Sequence, residues 1–117
     1  ILDSTGGPGA TVRLKITDAN GSPNAYTLMT LQDAGLSGAE TAAGGVANLS
    51  FLTVGSSGKL DSFGQGFIDN STGGGSELDS AIDTTTNITI SVSVEFGAAN
   101  AANGMILREL SAVQASI

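Results

Sequence analysis

Residues Asn87 to Phe96 alternate without a break. Ile88, Ile90, Val92, Val94 and Phe96 are apolar, and Asn87, Thr89, Ser91, Ser93 and Glu95 between them are polar. Side chains on a strand point to opposite faces in turn, so this period of two predicts a strand with one face on a core and one in water. Parallel sheets bury both faces of their strands, so the sheet must be antiparallel. Thr11 to Thr17 repeats the pattern, with Val12, Leu14 and Ile16 on one side and Thr11, Arg13, Lys15 and Thr17 on the other.

The other segments are read around these two. Asn20-Gly21 and Ser22-Pro23 predict a turn, and Ala25 to Leu31 a strand of mixed polarity. Ala34 to Ala43 reads as a loop or a wide hairpin end. Val46 to Val54 predicts a strand with Leu49 and Phe51 inward and Asn48 and Ser50 outward. Gly55 to Gly58 is a tight connection, and Lys59 to Asp69 a strand in which Gly64 and Gly66 suggest a bulge or bend. Asn70 to Ser76 holds Gly73-Gly74-Gly75 and reads as a flexible loop. Met105 to Ile117 predicts a last strand. Gly6, Gly7, Pro8 and Gly9 make residues 1–10 a linker or N-terminal arm, leaving 11–117 as one domain. About six turn-bounded strands predict an all-β fold, an antiparallel β-sandwich of jelly-roll-like form. A full jelly roll needs more strands, to be sought before Ile1, in 33–45 or in 76–83.

Composition excludes more than it suggests. The 117 residues contain no Cys and no His, which removes zinc fingers, iron–sulfur sites, haem ligation and His- or Cys-based triads. Four Lys and Arg cannot build a nucleic-acid-binding face. Aromatic residues are 4% and Trp is absent, so the core is light and aliphatic. Without disulfides its stability must come from packing or oligomerisation. The net charge of -7 accompanies a mean hydropathy of +0.20, which suits a folded acidic domain and not a disordered chain. No apolar run is long enough for a membrane helix, and no basic region followed by an apolar stretch marks a signal peptide within these residues. Starting at Ile1, the chain reads as a processed product or as the ordered part of something longer.

Candidate chemistry is sparse. Asp18-Ala19-Asn20-Gly21 begins like a calcium loop, but Met29 stands where such a loop needs its bidentate Glu, so a turn is expected. Glu77, Asp79 and Asp83 form an acidic group that reads as a solvated loop, since a sugar-cleaving cleft also needs aromatic grips. Three glycosylation-type triplets, at Asn48, Asn70 and Asn87, are close to chance in a chain so rich in Asn, Ser and Thr. No serine has a candidate base, and no phosphate-binding loop is present. The expectation is no enzyme, no cofactor and no metal site. Arg13 and Lys15 share an outward strand face, which suits edge protection, pairing with nearby acids, or a salt bridge between subunits.

One segment adds a resemblance. Ile82 to Ile106 runs Asp83-Thr84-Thr85, then the long alternating strand ending in Phe96, then an Ala/Asn/Gly loop with Asn100 and Asn103, then a final strand. It resembles the closing segment of jelly-roll domains in structural proteins of tailed bacteriophages, with Phe96 where Trp is common. Tyr26 to Gly38 is loosely similar to another strand of that family. The resemblance implies a homotrimeric module on the exterior of a virion, in a capsid decoration or a head or tail fibre. Its partners would be further copies of itself and a major capsid or other virion protein. Interface candidates are Arg13, Lys15, Phe96, Asn100, Asn103 and Arg108. The competing expectation is a carbohydrate-binding domain that recognises a host surface glycan, for which Tyr26, Phe63 and Phe67 are the available aromatics. Both Phe residues are expected in the core.

Overall fold

The computed structural model describes residues 1–114. Nine strands form in chain order, and no helix occurs among the described residues: β1 Leu2–Asp3, β2 Ala10–Thr17, β3 Ala25–Asp33, β4 Glu40–Thr41, β5 Ala43–Thr53, β6 Gly58–Ile68, β7 Ser71–Ile82, β8 Thr89–Phe96 and β9 Gly104–Met105. All pairings are antiparallel. Six strands run in the order β5-β6-β7-β3-β2-β8, and β4-β1-β9 make a smaller sheet. The fold is therefore the all-β, antiparallel, sandwich-like one that the alternation predicts.

The large sheet curls into two layers, β5-β6-β7 over β3-β2-β8. They are hydrogen-bonded to each other at one register pair, Thr30 with Gly74. The core lies between them in two clusters. One gathers Leu2, Ala10, Val12, Met29, Leu31, Leu36 and Ile68, and the other Ile16, Leu28, Leu60 and Ile82. A bulge in β3 lets that strand feed both. Lys15 pairs with Thr27 and Leu14 with Met29, so Leu28 is the extra residue and both Leu28 and Met29 are buried.

Glycines set how closely the layers approach. A Cβ at Gly73 would collide with the Thr30 carbonyl oxygen, and one at Gly64 would stand 2.8 Å from the Leu28 carbonyl oxygen. Backbone lies on backbone here, which only glycine permits. This corrects two expectations. Asn70 to Ser76 is no flexible loop, because all but its first residue belongs to β7. Gly64 and Gly66 mark no bulge, since β6 pairs in continuous register through them on both sides.

Three further expectations shift. Residues 1–10 carry β1, whose Leu2 is 1% exposed and pairs with Thr41 and Met105, so this arm is docked and closes the end of the first cluster. The strand expected from Met105 ends with β9, although Ile106 and Ile1 continue its ladder by two backbone bonds of 2.9 and 3.1 Å. Residues 107–114 form no regular structure, and 115–117 lie outside the described residues. Phe51 pairs opposite the buried Leu60 yet is 46% exposed. The reason is that β5 is the edge strand, paired on one side only, where even Ala47 and Leu49 are only half-buried. The extra strands were found in two of the places named for them, β4 and the start of β5 within 33–45 and most of β7 within 76–83.

Candidate functional site

The two layers present unlike faces to water. On the outside of β3-β2-β8, register brings together Arg13, Ser93 and Thr30, then Lys15, Ser91 and Thr27. Every one is polar, and Arg13 Nη1 donates to Glu95 Oε2 at 3.1 Å. On the outside of β5-β6-β7 the rows are Gly44, Phe67, Thr72; Val46, Gln65, Gly74; and Asn48, Phe63, Ser76. None of these nine is charged. Val46, Phe63 and Phe67 are 64%, 58% and 44% exposed.

The expectation of core positions for Phe63 and Phe67 is thus overturned, and the reason was present in the phase of β6. Both alternate in step with Lys59, Asp61 and Gln65, while Leu60, Ser62 and Ile68 take the inner row. The Phe67 ring also has a local task. It lies across Gly44 on the neighbouring strand, where an added Cβ would be 3.3 Å from its Cε1. A ring laid over a cross-strand glycine covers backbone that no side chain of its own protects.

The densest polar cluster is a knot between the layers. Asp18, just after β2, and Asp83, just after β7, are 3% and 4% exposed. Asp18 Oδ2 accepts from Asn24 Nδ2 and from the Asp83 backbone N–H, both at 2.8 Å, and Oδ1 accepts the Asn24 N–H at 3.0 Å. Asp83 accepts from Asn20 Nδ2 at 2.8 Å, and both the hydroxyl and the N–H of Thr85 donate to it. The Asn24 side chain and these backbone donors lower the Asp18 pKa to about 2. Asp83 is also lowered, chiefly by the Thr85 hydroxyl and then by Asn20, against the opposing effects of burial and the Asp18 charge. Hydrogen bonds to the ionised form explain both directions. The donors that hold these carboxylates are the chain's own, so the cluster is a structural joint. It contains the turn expected at Asp18 to Gly21, fastened to a segment 65 residues away.

The acidic group at 77–83 is dispersed. Glu77 accepts from the Ser80 hydroxyl at 2.7 Å, and Asp79 is an exposed residue with φ 52° whose N–H donates to Asp61. Only Asp83 is buried. Among the described residues no group of three or more Asp or Glu is placed to hold a metal ion.

The interface candidates fall at separate places. Arg13 is engaged by Glu95 of its own chain, and Lys15 is half-buried beside it. Phe96 packs its ring against the first cluster and borders an open depression with Ala98, Ala99, Asn100, Ala101 and Asn103. Asn100 and Asn103 shape that loop. The Asn100 side chain accepts the Ala102 N–H at 2.9 Å, while Asn103 donates to the Ala98 carbonyl and accepts the Thr5 N–H. Arg108 lies exposed in the segment beyond β9, with no ion pair among the described residues. Tyr26, the third aromatic, donates its hydroxyl to the Ala81 carbonyl at 2.6 Å and so serves the contact between β3 and β7. Comparison with protein-family models, with curated proteins and with solved structures finds no match.

Proposed function

We propose that this domain is a non-catalytic structural module that assembles with copies of itself, as a jelly-roll-like homotrimer on the exterior of a tailed-phage particle, in a capsid decoration or a fibre. One observation carries the self-assembly. Among the described residues, every large exposed hydrophobic side chain lies in one of two places. Val46, Phe51, Leu52, Val54, Phe63, Phe67 and Leu78 belong to the β5-β6-β7 layer or its hairpin end, and Ile106, Leu107, Leu110 and Val113 to the segment after β9. Scattered exposed apolar residues are ordinary on a monomer, whereas residues grouped on one layer and one terminal-side segment suit surfaces that are covered by a neighbour. The placement on a virion is supported by the resemblance of residues 82–106, and the partner there would be a major capsid or other virion protein. The light aliphatic core and the absence of Cys fit a domain completed by association.

The test is chromatography with light scattering at micromolar concentration. The expected mass is three times the 11.5 kDa chain. A stable single-chain species would overturn the proposal.

A further inference from the structure

The two exposed apolar regions differ in kind. One is a sheet face and the other a segment without regular structure, and they are matched in spacing and charge. On β6, Asp61 and Phe63 stand two residues apart in the outward row. In the segment, Arg108 and Leu110 stand two residues apart, both exposed. In extended chain each step of two carries a side chain about 6.6 Å along the same side. A segment laid along β6 with Leu110 on Phe63 therefore brings Arg108 opposite Asp61.

Charge argues the same way. At a net charge of -7 two copies repel each other, least where their contact is uncharged or joins opposite signs. The nine-position face carries no charge, and along β6 it is bordered by Asp61 and then Lys59, so Asp61 is the acid next to Phe63. The segment carries Arg108 and Glu109, and in extended chain the side that presents Arg108 and Leu110 turns Glu109 away. Length fits too. Residues 106–114 extended span about 30 Å, close to the roughly 36 Å of an eleven-residue strand such as β5 or β6.

We infer that the outer face of β5-β6-β7 is the docking site for residues 106–114 of a second copy, with Leu110 against Phe63 and Arg108 against Asp61. This rests on the reading of the domain as a self-assembling module and supplies its contact. The interface is heterologous, face on one copy and segment on the next, so each copy both gives and receives. A rotation that closes makes a ring, and three copies form the smallest ring beyond a dimer.

Heterology makes the contact separable by mixing. Leu110→Asp spoils the segment and leaves the face intact, and Phe63→Asp does the reverse. Both positions are exposed, so each variant should keep the wild-type circular dichroism spectrum; if Phe63→Asp does not fold, Phe63→Asn takes its place. Light scattering should find each variant alone at the 11.5 kDa of a single chain, and a one-to-one mixture should recover a two-chain species through the one intact junction. A Leu110→Asp variant that keeps the wild-type mass overturns the inference while leaving self-assembly standing, because copies then meet without the segment. Folded variants whose mixture stays at one chain also overturn it. A wild-type protein that is itself single-chain defeats the assembly reading as a whole. Asp61→Asn keeps the acceptor used by the Asp79 N–H and removes only the charge, so it should weaken assembly and flatten its dependence on salt.

Discussion

The two layers of the sandwich solve the same problem with different materials. The β3-β2-β8 layer alternates cleanly, Val12, Leu14 and Ile16 inward and Thr, Ser, Arg and Lys outward, and its outer face is finished against water. The β5-β6-β7 layer is rich in Gly, Ser and Thr, with its large residues divided between the two sides. Leu60 and Ile68 face the core, whereas Val46, Phe63 and Phe67 face out. A layer that spends aromatic rings on its wet side has less to bury on its dry side. It compensates by approaching the opposite layer closely, through glycine. Thin core and exposed apolar surface are thus two aspects of one composition, and the proposed assembly, which covers the outer face with another chain, would account for both.

The close approach is the point at which the layers are easiest to break apart. Gly73→Ala places a methyl group against the Thr30 carbonyl oxygen and within 3.3 Å of Leu31 Cα. Both are backbone, so neither can rotate away. The expected loss is about 3 kcal/mol of unfolding free energy, at the upper end for overpacking. Gly21→Ala is the control, because nothing lies within 4 Å of its added Cβ. Urea titration of the two variants should show a much lower midpoint for the first and an unchanged one for the second. Equal midpoints would mean that the layers are not held at backbone distance.

The second joint between the layers is Asp18 with Asp83, and it is sensitive to acid. The Asp18 pKa lies near 2 in the fold against 3.8 in a free chain, so the fold favours the ionised form. Its contribution is complete above the unfolded value and is lost as pH falls from 3.8 through about 2. Asp83 and Asp33 are shifted in the same direction, the latter chiefly by the Ser71 hydroxyl, and add to the effect. The thermal midpoint should therefore be level near neutral pH and fall steeply below about pH 4. Asp18→Asn puts an NH2 group where Oδ2 now accepts two N–H donors, so the midpoint should drop at neutral pH and its acid dependence should become shallower. A variant with the wild-type acid profile would show that Asp18 is not part of the joint.

The same contrast explains what was readable beforehand. β2 and β8 were legible because period-two alternation is a local signal and the core they face is apolar. β7 was not, because Ser-Thr-Gly-Gly-Gly-Ser is also the composition of a loop. What makes it a strand is its neighbour: Gly64, Gln65 and Gly66 opposite Gly75, Gly74 and Gly73. The exposed rings of Phe63 and Phe67 could have been found from their phase with Lys59, Asp61 and Gln65. Residue type argued for burial and phase for exposure, and phase was right. The Asp18–Asp83 joint had no local signature beyond the Asn-Gly turn and the Asp-Thr-Thr string, since its bonds span 63 and 65 residues. Tertiary hydrogen bonds of this separation are set by topology, which the order β5-β6-β7-β3-β2-β8 supplies and composition does not.

The smallest expected effect lies on the finished face. Arg13 and Glu95 pair across β2 and β8, with side chains 34% and 72% exposed. Water and salt screen such a pair, so a double-mutant cycle of Arg13→Ala and Glu95→Ala should give a coupling of about 0.5 kcal/mol or less, vanishing at high salt. The value separates two roles for Arg13. If the pair belongs to one chain's surface, the coupling is independent of protein concentration and of assembly. If Arg13 instead bridges subunits, the coupling appears in the association constant and not in the unfolding of the isolated chain. Measuring the cycle both by urea titration and by light scattering therefore assigns the polar face. A coupling confined to unfolding leaves the β5-β6-β7 face and the segment after β9 as the surfaces available to the proposed assembly.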